Sequence, residues 1–396
     1  SRKDLMTAAL EGLIQKSNIK NQLLGDVALG AVMNSVSDFN LAREVVLSTS
    51  LDPKTPAYNV QRACGTGLEN VWQIGMKLHT GSIETGIAGG VDTNSDLPIE
   101  VSESLKKTLL ELNQARSFSD KMRAFKNLSL HSLKPKVPNV NEPRTLLSMG
   151  QHTELMINEW KISREEQDQF AYQSHFNGQR AYEQGFYEDL VINYLGSHRD
   201  GILRKDISLE KLRSLKPAFS ENGSLTAGNS SPLTDGAAVV LMANKSGADK
   251  LGLAPLAKLV DVQVAAVNFV KGEGLLMAPT KAIAQLLIRN KLTFNDFDFF
   301  ELHEAFAGQV LCNLKALESE KYAKESLGLS FVPGPIPMEK INTVGSSIAL
   351  GHPFAATGAR IIGTLAKLIS AKGNGRGLIS LCTAGGMGIA GILESV

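Results

Sequence analysis

The stretch TPAYNVQRACGTGLENVWQIGMKL, Thr55–Leu78, decides the fold. Its first part, TPAYNVQRACG, reads as a short strand running into a turn. Leu68, Val71, Trp72 and Leu78 then fall on one helical face. The flanking sequence keeps this grammar. Ser1–Lys16 reads as a helix, VALGAVM (Val27–Met33) as a buried strand, AREVVLSTSL as a helix and TGIAGGVDTNS as another strand. Strands alternating with helices imply an α/β fold with a mostly parallel sheet flanked by helices.

Residues 114–235 break that rhythm. They hold the Pro- and Asn-rich run LKPKVPNVNEPR, a long polar helix (SREEQDQFAYQSHFNGQRAYEQG) and the loop TAGNSSPLTDG, and they read as an insertion domain. AAVVLMA (Ala237–Ala243) reads as a strand that returns to the first sheet, so 236–246 completes the half formed by 1–113. Residues 247–396 repeat the opening pattern, with strands in AKLVDVQVAAV and FDFFEL, helices in PTKAIAQLLIRN and TGARIIGTLAKLIS, and a hairpin of two buried strands in GLISLCTAGGMGIAGILES. GIAGGVDT in the first half has a counterpart in LCTAGGMG in the second, a hint of internal duplication.

The bulk numbers exclude several classes. The 396 residues carry 41 Lys and Arg against 40 Asp and Glu, so no charge bias favours nucleic acid. No run approaches the ~20 apolar residues of a membrane span. Three cysteines, Cys64, Cys312 and Cys382, are too few and too far apart for a disulfide framework, which points to a reducing compartment. A cytoplasmic location is expected. The chain opens directly on a helix, so a preceding segment is expected too, and a mitochondrial location is compatible with that.

Four segments place reactive side chains among glycines at element ends: RACGTG, LHEAFAG, SIALGHPFAATGAR and SLCTAGGMG. Cys64 sits where a strand meets a helix. It reads either as a thiol favoured as thiolate by the helix N-terminus, or as a small buried hydrophobe. His303 follows an apolar strand, at the edge where α/β ligand sites form, or serves as a hydrogen-bonded structural histidine. His352, between Gly351 and Pro353, is a fixed functional histidine or an incidental polar turn residue. Cys382 ends a buried strand, and core filling is its competing reading. Cys312 lies inside a helical pattern and reads as core. As a set, two cysteines and two histidines supply a nucleophile, its base and a second acid/base, the inventory of acyl transfer through a thioester. No C-x-x-C or H-x-x-H spacing occurs, so no metal site is expected.

The motifs then resemble a known family. ACGTGLE resembles the nucleophile motif of the thiolases, HEAFA their Asn/His-Glu-Ala-Phe motif, GHPFAATGAR their Gly-His-Pro motif and CTAGGMG their C-terminal cysteine motif. SMGQHTELM and TAGNSSPLTDGAA match two further family stretches, all in family order. The opening strand and its RTP stretch are missing. The resemblance implies two similar βαβαβ-type halves in α/β/α/β/α layers with an insertion (loop) domain. It implies Cys64 as the acylated nucleophile, His352 as its base and Cys382 as acid/base on the acetyl α-carbon. His303 would take the place of an asparagine that holds a catalytic water in many members. With His352 it would form an oxyanion hole for the thioester enolate. The N–H groups of Cys64 and Ala384 would form the second. Ala384 replaces the usual glycine, but its N–H survives. Ala355 replaces a common glycine in the Gly-His-Pro motif. His303 in place of Asn resembles the fatty-acid β-oxidation subgroup that includes the trifunctional β-subunit.

The activity implied is thiolysis of 3-ketoacyl-CoA, or the reverse Claisen condensation, by a ping-pong route. The CoA thioester is the substrate and no cofactor is expected. Alternatives are a condensing enzyme like the β-ketoacyl synthases, which share the fold, or a non-catalytic CoA or lipid binder. Met149, Ser230, Ala305 and Phe306 are expected to line the substrate channel. Residues 115–145 carry seven Lys and Arg (Arg116, Lys121, Arg123, Lys126, Lys134, Lys136, Arg144) around Phe118, Met122 and Phe125. They read as phosphate attraction near CoA, as a solvated helical face, or as a contact for a membrane or a multienzyme α-subunit. A homodimer or homotetramer is expected from the resemblance.

Overall fold

The computed structural model describes residues 1–396 apart from Asn127 and Asn139, which fall inside the 115–145 segment and lie outside the described residues. The chain begins α1 (Arg2–Lys16), β1 (Asp26–Leu29), α2 (Leu41–Leu47), β2 (Ala57–Asn59), α3 (Thr66–His79), β3 (Thr85–Asp92). A helical excursion follows, with α4 (Glu103–Gln114), α5 (Phe118–Phe125), α6 (Met149–Trp160), α7 (Arg164–Glu183) and α8 (Leu209–Ser214). Then come β4 (Gly236–Ala243), α9 (Lys245–Leu251), β5 (Lys258–Ala266), α10 (Ala278–Asn290), β6 (Phe299–Leu302) and α11 (Ala307–Leu317). The chain ends with α12 (Glu320–Glu325), α13 (Ser347–Leu350), α14 (Ala356–Lys372), β7 (Arg376–Thr383) and β8 (Met387–Glu394).

Among the described residues the strands form two four-stranded sheets, ordered β2-β1-β3-β4 and β5-β8-β7-β6. β1 runs parallel to β2 and β3, and β4 closes the first sheet antiparallel to β3. In the second sheet only β6 and β7 are parallel. The sheets are therefore mixed, not mostly parallel. The tight turn between β7 and β8 allows only an antiparallel return.

The strand faces explain the layering. Val27 and Leu29 of β1 pack with Ile87 and Val91 against Met6, Leu10 and Ile14 of α1 and Val45 of α2. Ala28 and Ala88 point the other way, as the period of two requires, toward Leu68, Val71 and Ile74 of α3 and Ile361, Leu365 and Ile369 of α14. Ile379, Leu381 and Ile389 of the second sheet close that same core. Leu378, Ala390 and Ile392 face outward onto Leu286 and Leu287 of α10 and Val310 of α11. The result is five layers, α/β/α/β/α, with α3 and α14 sandwiched between the sheets. Truncating one fully buried residue of that central layer, such as Leu365, costs about 2–5 kcal/mol.

The duplication is visible in topology. β1, α3, β3 and β4 are matched by β6, α14, β7 and β8, with the same parallel and antiparallel pairings. A parallel bridge from Phe300 to Ile341 stands where β2 stands beside β1. The AGG similarity is not part of it. Ala88–Gly90 lie inside β3, whereas Ala384–Gly386 form the turn after β7. The apolar run Val27–Met33 also departs from a plain strand. β1 ends at Leu29, and Val32 and Met33 turn their N–H groups onto the buried Asp92 carboxylate at 2.9–3.1 Å.

Within the excursion, α6 and α7 pack on α11, whereas α4 packs on α5 and on the 3₁₀ turn Leu130–Leu133. No helix among the described residues is long and apolar enough to cross a membrane.

Candidate active site

Cys64 occupies a tight turn between β2 and α3. Arg62 N donates to Thr66 Oγ1 at 2.8 Å, and Thr66 Oγ1 donates to the Ala63 carbonyl at 2.7 Å. These bonds hold Ala63 at φ +44°, a left-handed conformation that costs a non-glycine residue about 1–3 kcal/mol. Strain is thus stored beside the thiol. The helix behind it, α3, approaches α14 very closely. A Cβ on Gly67 would lie 2.6 Å from Ala359 N, and one on Gly358 would lie 2.4 Å from Leu68 N. Only glycine permits this approach. It joins the N-terminal ends of the two central helices, and Cys64 and His352 sit just upstream of those ends.

His303 and Cys382 come from the second sheet. β6 and β7 are parallel with Leu302 opposite Ser380, and His303 N donates to the Ser380 carbonyl at 2.8 Å. Both residues therefore lie at the carboxyl ends of adjacent parallel strands, where α/β sites form. The His303 and His352 rings are 4.2 Å apart, centroid to centroid. His303 Nδ1 meets Ser347 Oγ at 2.7 Å, and His352 Nδ1 meets Thr357 Oγ1 at 2.7 Å. His303 Nε2 is buried and has no hydrogen-bond partner among the described residues.

Beyond Cys382 the chain turns through Gly385 and Gly386, at φ +76° and +71°. This turn brings the Ala384 N–H to the Cys64 thiol. The Gly385 N–H donates at 2.8 Å to the carboxylate of Glu142, which is buried. The structure thus brings Cys64, Cys382 and Ala384 together, and separately pairs His303 with His352. Among the described residues no hydrogen bond joins Cys64 to His352.

The resting charges are unlike those a reactive-thiolate reading expects. Burial pushes the Cys64 thiol up to about 12, against the opposing Ala384 N–H, and the Asp92 and Glu142 carboxylates push the same way. Cys64 precedes Gly65, the N-cap of α3. Cys382 is raised by burial and by Cys64. Burial, with the Arg360 charge, lowers His352 to about 3 and holds His303 well below the usual imidazole range. At rest the site is two thiols and two neutral imidazoles. Of the two readings of Cys64, this direction favours the buried neutral thiol over a helix-stabilised thiolate.

Met149, Ala305 and Phe306 share one apolar cluster with Cys382, Phe219 and Phe269. Ser230 is bridged to Phe306 through the backbone, and its hydroxyl is buried without a partner among the described residues. Cys312 lies in the core, as expected of it. Four residues escaped sequence reasoning. Glu142 acts on the site from a loop and Asp92 from the end of β3, neither within a motif quoted for the site. Arg360 donates to Ser347 Oγ at 3.0 Å and to the Gly351 carbonyl at 2.8 Å, so one guanidinium ties both histidine segments. Both Arg360 and Ser347 lie within or beside the quoted histidine motif, and a charge on a buried helix face was the available signal.

Comparisons with known proteins agree along the whole chain. The model of the thiolase N-terminal domain matches residues 1–246, and that of the thiolase C-terminal domain matches 253–395. A 3-ketoacyl-CoA thiolase of Yersinia pestis is 42% identical over 398 aligned positions, covering 99% of this chain and 91% of that protein. The crystal structure of human mitochondrial 3-ketoacyl-CoA thiolase in complex with CoA is similar, with a TM-score of 0.81 at 27% identity, covering 100% of this chain and 92% of that one. The Bacillus anthracis acetyl-CoA acetyltransferase gives a TM-score of 0.79 at 28% identity, covering 100% and 94%. With both family models in chain order and the five-layer fold in common, the chain belongs to the thiolase family.

Proposed function

We propose that this chain is a CoA-dependent acyltransferase that cleaves 3-ketoacyl-CoA by thiolysis and runs the reverse condensation at the same site. The observations that carry this reading are the meeting of Cys64 with the Cys382–Gly386 turn and the close pairing of the His303 and His352 rings. In the proposed route His352 takes the Cys64 proton as the sulfur attacks the 3-keto carbon. The Cys64 and Ala384 N–H groups hold the resulting oxyanion. The C2–C3 bond breaks, and its electron pair passes into the acetyl-CoA enolate, whose oxygen faces the two histidines. The Cys382 thiol protonates C2. Acetyl-CoA leaves, and the Cys382 thiolate takes the proton of an incoming CoA thiol. That thiol attacks the acyl group, and Cys64 departs and recovers its proton from His352. Two neutral thiols at rest suit this cycle, because each proton moves only as a carbanion or tetrahedral centre forms. The CoA thioester is substrate, and no step uses a metal or resident cofactor.

Incubation with acetyl-CoA tests the reading. An acetyl adduct by intact mass, lost in Cys64→Ser, is expected. A folded wild-type protein with no adduct refutes it. Retention of full condensation activity in Cys382→Ala favours instead a synthase-type enzyme.

Fatty-acid β-oxidation in a cytoplasmic setting is the proposed context, by similarity to the Yersinia relative. A homo-oligomer is proposed from the first sheet. β2 is its outer strand, and Val36 and Phe39 beside it are 99% and 91% exposed. A contact with a β-oxidation α-subunit or a membrane surface is proposed for 115–145. There Phe118, Met122 and Phe125 stand exposed on α5 among Lys121, Arg123 and Lys126. Sedimentation of the wild type and of a Phe118→Ser/Phe125→Ser variant, alone and with anionic vesicles, tests both proposals.

A further inference from the structure

We propose that Arg360, acting through Ser347, fixes His303 in the tautomer whose Nε2 carries the proton, which makes Arg360 and Ser347 positioning residues for the enolate-facing donor. The proposal rests on the thiolase reading above.

A hydroxyl has one proton and two lone pairs. Arg360 Nη2 can only donate, and it lies 3.0 Å from Ser347 Oγ, so it occupies one lone pair. The other neighbour of that oxygen is His303 Nδ1, at 2.7 Å. If Nδ1 carried the ring proton, it would fill the second lone pair. The Ser347 proton would then be buried with no acceptor, which is costly. If Nδ1 is bare, the Ser347 proton fills it and every group is satisfied. The ring proton then sits on Nε2, the one buried atom of the ring with no protein partner. Such an N–H is what an enolate oxygen needs, and the tautomer is set before substrate arrives. Arg360 also holds the Gly351 carbonyl at 2.8 Å, next to His352, so the same guanidinium sets the spacing of the two rings.

The test begins with the wild-type protein, labelled with ¹⁵N-histidine. Two-bond ring correlations are expected to show His303 protonated at Nε2, and an Nδ1–H tautomer overturns the proposal. In Ser347→Ala, 3-ketoacyl-CoA thiolysis is expected to fall about 10- to 100-fold, the effect of weakening one oxyanion donor. Acetyl exchange between acetyl-CoA and CoA makes no enolate, and is expected to stay within about threefold because it uses only the Cys64 and Ala384 donors. Equal loss in both reactions means a structural role and overturns the proposal. A rescue arm uses His303→Asn, whose amide N–H needs no tautomer. Adding Ser347→Ala to it is expected to change thiolysis less than about threefold, and a penalty as large as in the histidine background overturns the proposal. Failure of the thiolase reading itself is distinct, because the wild type would then form no acetyl-enzyme.

Discussion

Replacing Glu142 with alanine is expected to slow catalysis while leaving the fold intact. Its carboxylate accepts the Gly385 N–H at 2.8 Å, one residue beyond the Ala384 donor that faces Cys64. Its own backbone is anchored independently, with Glu142 N donating to the Leu147 carbonyl at 2.9 Å and Leu146 N donating to the Glu142 carbonyl at 2.8 Å. The turn it pins runs through two residues of positive φ, Gly385 and Gly386, where glycine has wide freedom; Val267 N also donates to the Gly386 carbonyl at 2.8 Å, so Glu142 fixes the Gly385 half of the turn. A hydrogen bond to a charged group is worth about 1.5–3 kcal/mol. If that energy goes wholly into placing the Ala384 donor, kcat falls about 10- to 150-fold, at 1.36 kcal/mol per tenfold. Glu142→Gln keeps an acceptor oxygen and is expected to stay within about threefold of wild type, on the same reasoning about the retained bond. Removing the negative charge should also lower the Cys64 pKa, because that charge raises it. The assay is thiolysis followed by loss of ketoacyl absorbance, with thermal unfolding as the control for folding. Full kcat in Glu142→Ala, or equal losses in the alanine and glutamine variants of a stable protein, would refute the pinning argument.

Alkylation of Cys64 by a neutral reagent should accelerate about tenfold per pH unit from pH 7 to 10 without a plateau, because its thiolate fraction keeps rising below a pKa of about 12. A plateau near neutral pH would show a resting thiolate. Asp92→Asn turns an amide N–H toward donors from Val32, Met33 and Ala355, and should cost about 1–3 kcal/mol for each donor left unpaired, read from the denaturation midpoint. Cys312→Ala should keep activity with a small loss of stability, whereas Cys382→Ala should abolish thiolysis. Comparable activity in the two variants would contradict their assignment to core and site.

The sequence exposed the fold through periodicity and the site through glycine-flanked Cys and His. Leu68, Val71 and Leu78 mark the face of α3 that the structure buries, and the GLISLCTAGGMGIAGILES hairpin is β7 and β8. Strand direction was less legible, because it depends on which edges meet and not on any local pattern. The AGG repeat misled because three small residues suit both a crowded strand interior and a tight turn. Local sequence leaves the charge state of Cys64 open for a similar reason. A helix N-terminus nearby is a local feature, whereas burial and the carboxylates of Asp92 and Glu142 arrive from distant segments. The same holds for Glu142, whose partner Gly385 is 243 positions away in the chain.

The topological duplication explains why the site sits where it does. Cys64 precedes α3, the helix that leads into β3, and His352 precedes α14, the matching helix that leads into β7. The two residues are thus topological counterparts, brought together because Gly67 and Gly358 let the two helix ends touch. The remaining members come only from the second half: His303 from the end of β6, Cys382 and Ala384 from the end of β7. The halves are therefore alike in build and unequal in chemistry. At the end of β3, where the second half carries Cys382 and its open turn, the first half carries Asp92. That carboxylate takes N–H groups from Val32 and Met33 in its own half and from Ala355, beside His352, in the other. One strand end supplies Cys382 and the Ala384 N–H, and its counterpart ties the His352 loop to the first sheet through Asp92.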